Sequence, residues 1–229
     1  MSVYPRFSYL TYNKSINAYS FDISINACSK NCELKQNGLR PYCISLIQRW
    51  KNNRYIKPRL RRSEKLLDSK DFVKVMNREI KLTRSNKIRL YSYGDLLDID
   101  NLKKWSFVAK LNPDVNFWLS TRQDHILTDY FEKKKLKTPD NLTIRYSLPL
   151  IMGMDFMIKN FDKFGIVYST ITTNKNDSNC DKSINGNCGL CSLCWNKGQK
   201  LIKYFNHGYL KHRLRDYLKF YKEMIENEL

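Results

Sequence analysis

The sequence contains no run of apolar residues that approaches the roughly 18 needed to span a bilayer. Its first residues, MSVYPRFSYLTYNK, lack the apolar segment of a secretory signal. We therefore expect a protein of the cytoplasm that does not enter a membrane. Because cytosolic thiols stay reduced, a disulfide framework is the weaker interpretation of its seven cysteines. With 229 residues and 42% apolar composition, the chain can bury a core without such staples, and we expect one α/β domain over residues 1–229.

Acidic residues are scarce relative to basic ones. The 22 Asp and Glu face 41 Lys and Arg, which gives a net charge of +19 and a pI near 9.6. Such an excess favours nucleic acid or another polyanion as a partner. The densest basic segment, residues 49–62, has Trp50 and Tyr55 among its Lys and Arg, a pattern that suits phosphate contact with base stacking. A solvated helix face and the codon bias of an AT-rich genome explain the charge as well, so these alternatives stay open.

No cysteine lies outside two short groups, residues 28–43 with the spacing C-x3-C-x10-C and residues 180–194, which end in C-x2-C-x2-C. A C-x2-C step lets two thiolates point at one centre, so this clustering predicts metal ligands. Gly186 and Gly189 permit the tight, positive-φ turns that such a loop needs. The predicted ligands are Cys28, Cys32, Cys43, Cys180, Cys188, Cys191 and Cys194.

The numbers of cysteines in the two groups, three and four, indicate different uses. C-x2-C-x2-C suits a [4Fe–4S] cluster better than a single tetrahedral ion, and four thiolates saturate such a cluster. Three thiolates leave one iron open to a substrate or a cofactor. Zinc is the alternative, as Zn(Cys)4 in the second group and as Zn(Cys)3His in the first.

Residues 87–175 alternate strand and helix patterns, and their strands are apolar nearly throughout. This rhythm predicts a parallel sheet with right-handed crossovers. The predicted strands are 87–95, 115–122, 141–149 and 164–173, and the helices between them are 98–113, 124–136 and a short one around 155–161. Before this region we predict a strand over 21–27, a helix from Ile44 that Pro58 ends, and a helix over 63–81. After it, the pattern predicts a C-terminal helix over 196–226.

Polar residues follow the predicted strands at the points where each strand ends. Because the carboxyl ends of parallel strands form the active face of α/β folds, these residues are candidates for contact with a substrate. The catalytic candidates are Asp95, Arg122, His125 and Ser147. Asp98, Asp100 and Asp124 fit helix caps equally well, and His125 fits an ordinary position at the end of a helix.

The order of these motifs resembles the phage "gene product 88" family, which is itself similar to a reduced radical S-adenosylmethionine barrel. The resemblance lies in ACSKNC, IRLYSYGD, NPDVNFWLSTR and CGLCSLCW, and it spans roughly residues 21–197. It implies a partial (β/α) barrel with two cysteine-rich metal loops, located in the cytosol of a host cell. It further implies that Tyr93, Gly94, Asp95 and Ser147 could hold S-adenosylmethionine, although the first cysteine group has x10 where the usual triplet has x2.

Two functions follow from this reading. The first is an iron–sulfur enzyme of the radical S-adenosylmethionine type that acts on nucleic acid or a nucleotide. The second is a non-catalytic protein, stabilised by zinc or a cluster, that binds nucleic acid through residues 49–62 or docks on a host factor.

Overall fold

The computed structural model describes residues 9–24, 56–148, 161–172 and 174–205. These residues form a mixed α/β fold around a seven-stranded sheet whose strands lie side by side in chain order. β1 pairs antiparallel with β2, and every later pair is parallel. The strands are β1 (Leu10–Asn13), β2 (Ala18–Phe21), β3 (Lys87–Leu90), β4 (Asn116–Thr121), β5 (Leu142–Ser147), β6 (Val167–Thr172) and β7 (Leu201–Phe205).

Helices connect most of the parallel strands, as the alternating pattern predicts. They are α1 (Ile56–Asp68), α2 (Phe72–Thr83), α3 (Ile99–Lys110), α4 (Asp124–Thr128) and α5 (Asp181–Asn185). α4 runs directly into a π-helical turn, Asp129–Lys133. Asp98 is the N-cap of α3, because its carboxylate accepts a hydrogen bond from Asn101 N at 2.7 Å. This confirms one of the two caps predicted for that helix.

Three of the predicted elements are wrong. Pro58 lies in the first turn of α1, where its missing N–H costs nothing, and so it does not end a helix there. The helix predicted over 63–81 is instead α1 followed by α2, with a break at residues 69–71. Residues 201–205, predicted as part of a helix over 196–226, form strand β7 because their backbone pairs with β6 and extends the sheet.

Other predictions fall partly outside the described residues. The strand expected over 21–27 ends at Phe21 in β2, and its last residues, with Cys28, Cys32 and Cys43, lie outside the described part of the chain. The same holds for the helix from Ile44 and for most of the helix around 155–161. The partial barrel requires more than these strand pairings and stays a prediction.

The main core lies between one face of the sheet and the helices. Its centre is Trp105 of α3, whose ring meets Phe21 and Phe72 edge to face at centroid distances of 4.9 and 5.0 Å. All three side chains are fully buried. Rings packed in this way contribute both buried area and favourable edge-to-face contacts.

The other face of the sheet is different, because the strands are not apolar throughout. Thr143 and Arg145 of β5 and Ser169 of β6 are buried polar residues on it. A second, smaller cluster covers part of this face, where Trp118 of β4 packs with Trp195, Cys180 and Cys194. The cysteine loop therefore lies on the sheet, and the polar face continues beyond it. In the described ranges, no helix is long and apolar enough to cross a membrane.

Candidate metal centre

Turns and backbone hydrogen bonds shape the cysteine loop, residues 180–194. Gly186 and Gly189 have φ angles of +84° and +48°, so both take the positive-φ turns expected of them. Cys191 N donates to Cys188 O at 2.7 Å, which closes the C-x2-C turn. Cys188 N donates to Ser15 O at 2.9 Å and ties the loop to the β1–β2 hairpin. The loop is thus fixed at both its turns and its contact with the sheet edge.

The four thiols of the cysteine loop line a single small cavity. All four are free rather than joined in disulfides; two are buried and two half-buried. Other residues that line the cavity include Lys182, Trp195 and Ile202. Within the described ranges, no three Cys, His, Asp or Glu side chains are already arranged to hold a metal ion. Four thiols that line one cavity are a suitable set of donors for a metal ion, and their role as ligands stays a prediction.

Arg145 anchors the cysteine loop to the sheet. Its side chain is fully buried, and its guanidinium donates to five backbone carbonyls. Four of the acceptor carbonyls lie in residues 193–199, and the fifth is on β6. The acceptors are Leu193, Cys194, Asn196, Gln199 and Tyr168. An arginine has five N–H donors, so every one of them is used here.

Burial and charge act in opposite directions on the thiols. Burial raises the pKa of Cys194 to about 11, while Arg145 and a bond to Tyr204 Oη at 3.7 Å favour the thiolate. Burial also raises the pKa of Cys188, which Lys182 opposes. The uncharged thiols of Cys188 and Cys194 are therefore favoured without a cation, and a bound metal ion would take the place of their protons.

The basic side chains beside the loop have few acidic partners. No carboxylate in the described ranges contacts the guanidinium of Arg145, and the nearest groups that could carry negative charge are Cys194 and Tyr204. Buried charges are normally paired. Cationic surroundings of this kind stabilise thiolates, and so they fit a metal–thiolate centre.

The predicted catalytic residues do not form one constellation. Asp95 is buried and accepts hydrogen bonds from Leu96 N at 2.7 Å, Arg122 N at 3.1 Å and Gln123 Nε2 at 3.4 Å. Burial raises the pKa of its carboxyl group, and these donors partly oppose that rise. Asp95 thus joins the loop after β3 to the end of β4, and Arg122 meets it through its backbone.

The other two catalytic candidates lie apart from this network. His125 is exposed near the start of α4, where its backbone N–H donates to Asp124 at 2.7 Å. Ser147 ends β5, and its hydroxyl lies 3.2 Å from Ser120 Oγ and 3.4 Å from Ser169 Oγ. Ser147 therefore belongs to a row of serine hydroxyls on the polar face.

The residues predicted to hold a cofactor, Tyr93 and Gly94, pack against the end of β2. Tyr93 N donates to Asp22 Oδ1 at 3.1 Å, and Ile23 N donates to Tyr93 O at 3.2 Å. Gly94 has a φ of +81°, and an added Cβ would come within 2.3 Å of Ile23 Cγ1. Close approach of two backbones explains this glycine without a ligand.

Sequence reasoning missed several residues near the cysteine loop. Arg89 lies over the ring of Trp118, with Cζ 4.4 Å from the ring centroid, and Lys182 lines the cavity of the thiols. The missed signal was period-two alternation within β3, where Lys87 and Arg89 alternate with Ile88 and Leu90. The prediction that the strands are apolar nearly throughout overlooks this alternation.

The fold and the loop define a class: a mixed α/β protein with a cysteine loop packed on a mostly parallel sheet. The chain belongs to the gene product 88 family, since the family's model matches residues 7–200. This confirms the resemblance to that family, while a relation to radical S-adenosylmethionine proteins stays a prediction. No curated protein and no solved structure matches the chain.

Proposed function

We propose that the protein is an iron–sulfur protein whose cysteine loop holds a [4Fe–4S] cluster through Cys180, Cys188, Cys191 and Cys194. The observation that carries this proposal is the convergence of four free thiols on one cavity beside buried basic side chains. The reduced thiols, the C-x2-C-x2-C spacing and the cationic surroundings all suit cluster ligation. Arg145 would fix the loop that carries the ligands, and Tyr204 would donate to the sulfur of Cys194.

The proposal extends to the second cysteine group and to catalysis. Cys28, Cys32 and Cys43 would hold a further cluster with one iron open to S-adenosylmethionine, above a partial (β/α) barrel. A reduced cluster of this kind supplies an electron for cleavage of that cofactor. Substrates would be nucleic acid or nucleotides, in keeping with the net charge of +19. Asp95 would position the end of β4, and Ser147 would face the ligand.

A non-catalytic binding protein is the second candidate, and α1 favours it. Lys57, Arg61 and Lys65 are exposed and recur every four residues, so they form one basic stripe along the helix. In this function, zinc in place of a cluster would stabilise the fold, and the stripe would contact phosphates.

Metal and sulfide analysis of protein purified without oxygen separates the two candidates. We expect iron and acid-labile sulfide, a brown colour, and loss of one cluster equivalent in Cys191→Ala. Cys43→Ala should lose the other cluster, whereas Ser192→Ala, an exposed neighbour in the cysteine loop, should lose neither. Colourless protein with stoichiometric zinc would favour the second candidate, and protein with no metal would contradict both.

The catalytic part has its own assay. Reduced protein that contains both clusters should convert S-adenosylmethionine to 5′-deoxyadenosine. Absence of that product from cluster-replete protein would overturn the enzyme proposal and leave the cluster proposal intact.

A further inference from the structure

The polar face of the sheet carries buried N–H donors that have no acceptor among the described residues. Trp118 is 5% exposed, and its Nε1 is buried without a hydrogen-bond partner. Arg89 Nε on the neighbouring strand is likewise buried without a partner, as is Nη1 of Arg59 at the start of α1. A buried donor with no acceptor is unfavourable, so three in one region call for an explanation.

Two of these donors lie side by side. Arg89 of β3 pairs in register with Trp118 of β4, and the guanidinium stacks on the indole ring at 4.4 Å. Stacking holds the guanidinium plane and leaves its edge free for a planar or tetrahedral oxyanion. The indole N–H is a donor only, so it too can serve only an acceptor.

Cations outnumber carboxylates around these donors. Asp22 lies 3.6 Å from Arg59 Nη2, and both Arg59 and Arg89 lower its pKa against the larger opposing effect of burial. Lys182, on the cysteine loop, is close enough to Arg89 for their charges to repel. Three cations therefore share one carboxylate in this part of the chain, which leaves an excess of positive charge on the polar face.

Hydroxyl groups border the same region. Ser20 pairs in register with Arg89, and Ser92 Oγ donates to Ser20 Oγ at 3.0 Å. Ser120 lies two residues beyond Trp118 on β4 and joins the row of serine hydroxyls described above. Such hydroxyls can donate to a ligand's remaining oxygens or contact a sugar.

We propose that Arg89 and Trp118, with Arg59 nearby, form a binding site for the oxyanion group, phosphate or carboxylate, of a small-molecule ligand on the polar face. The site uses donors that the cysteine ligands do not use, so it does not rest on the proposed cluster. Arg89 supplies the charged donor, Trp118 supplies a neutral donor beside it, and the serine hydroxyls on the same face of the sheet would contact the remainder of the ligand.

The test is titration of the intact, anaerobically purified protein at constant ionic strength. The probes are inorganic phosphate, adenosine 5′-monophosphate and acetate, followed by calorimetry and by tryptophan fluorescence. We expect saturable binding of at least one probe at one equivalent. Phosphate-containing probes alone would identify a phosphate site, and acetate alone a carboxylate site.

Variants assign the binding to the proposed donors. Arg89→Gln removes the positive charge and the Nε–H donor, and Trp118→Phe removes the indole N–H, while both keep most of the side-chain volume. Each should weaken binding at least tenfold. Arg78→Gln, an exposed position on α2, is the matched control and should bind as the wild type does. Equal affinity in all three variants, or no saturable binding by any probe, would overturn the proposal.

Metal content measured on the same samples separates this site from the proposed cluster. The alternative role for Arg89 is to balance the charge of the thiolates. In that case Arg89→Gln will lose metal, no oxyanion will bind to the wild type, and the proposal fails. If the oxyanion binds to the wild type whether it contains iron, zinc or no metal, the site stands independently of the cluster.

Discussion

Replacement of Arg145 by methionine should detach the cysteine loop from the sheet. Methionine has a similar length and no donors, so all five hydrogen bonds that the guanidinium donates to backbone carbonyls would be lost. The side chain is fully buried, so water does not reach the guanidinium while the loop stays in place.

The expected cost follows from the number of bonds. Five bonds at about 1 kcal/mol each give a loss on the order of 5 kcal/mol in the free energy of unfolding. Four of the five acceptors lie in residues 193–199, so the loop can leave the sheet and expose them to water. We therefore expect local opening of the loop before the sheet itself unfolds.

Urea unfolding and cysteine alkylation measure these two effects. With metal removed, Cys180 and Cys194 of Arg145→Met should be alkylated well below the urea concentration that unfolds the sheet, as mapped by mass spectrometry. Arg145→Lys should be intermediate because lysine has three donors. Arg61→Met is the exposed control and should stay within about 0.5 kcal/mol of the wild type.

One result would refute the reasoning. If Arg145→Met unfolds within about 0.5 kcal/mol of the wild type and its buried cysteines stay protected, then Arg145 does not anchor the loop.

Two further predictions concern the region after β3. Gly94→Ala should lower the free energy of unfolding by about 2–4 kcal/mol, because it combines left-handed backbone strain with a clash against Ile23. The control Gly165→Ala, at a φ of +71° with open space around it, should show only the strain of about 1–2 kcal/mol. Equal losses of the two variants in urea unfolding would contradict the clash. Asp95→Asn tests the raised pKa of the buried carboxyl. The folded wild type holds the carboxyl proton more tightly than the unfolded chain does. The wild type should therefore lose stability relative to the variant as the pH rises past 3.8, until the carboxyl has ionised. A stability difference that does not change with pH, or one that changes in the opposite direction, would show that the pKa is not raised.

Much of the fold could be predicted from local patterns. The alternation of apolar strands and helices over residues 87–175 predicted β3 to β6 and α3, because these elements carry their own periodicity and Asp98 caps α3 by itself. β7 could not be predicted in the same way. Its residues, LIKYF, form a strand because β6 offers an open edge, which is information from the tertiary fold.

The candidate site, like the fold, could be predicted from the sequence only in part. Cysteine spacing indicated one shared centre, and the four described thiols do line one cavity. The role of Arg145 could not be read from the sequence, since its acceptors are backbone carbonyls about 50 residues away. Likewise, Asp95 had the sequence position of a catalytic residue, whereas its hydrogen bonds serve to join two loops.

X-ray absorption at the iron and zinc edges of anaerobically purified protein tests the central claim most directly. The account predicts iron with sulfur neighbours and a second iron close by, and a loss of part of that signal when Cys188 and Cys194 are both replaced by alanine. Protein in which neither metal has sulfur neighbours, or a double variant with an unchanged spectrum, would contradict the claim that the cysteine loop holds a metal cluster.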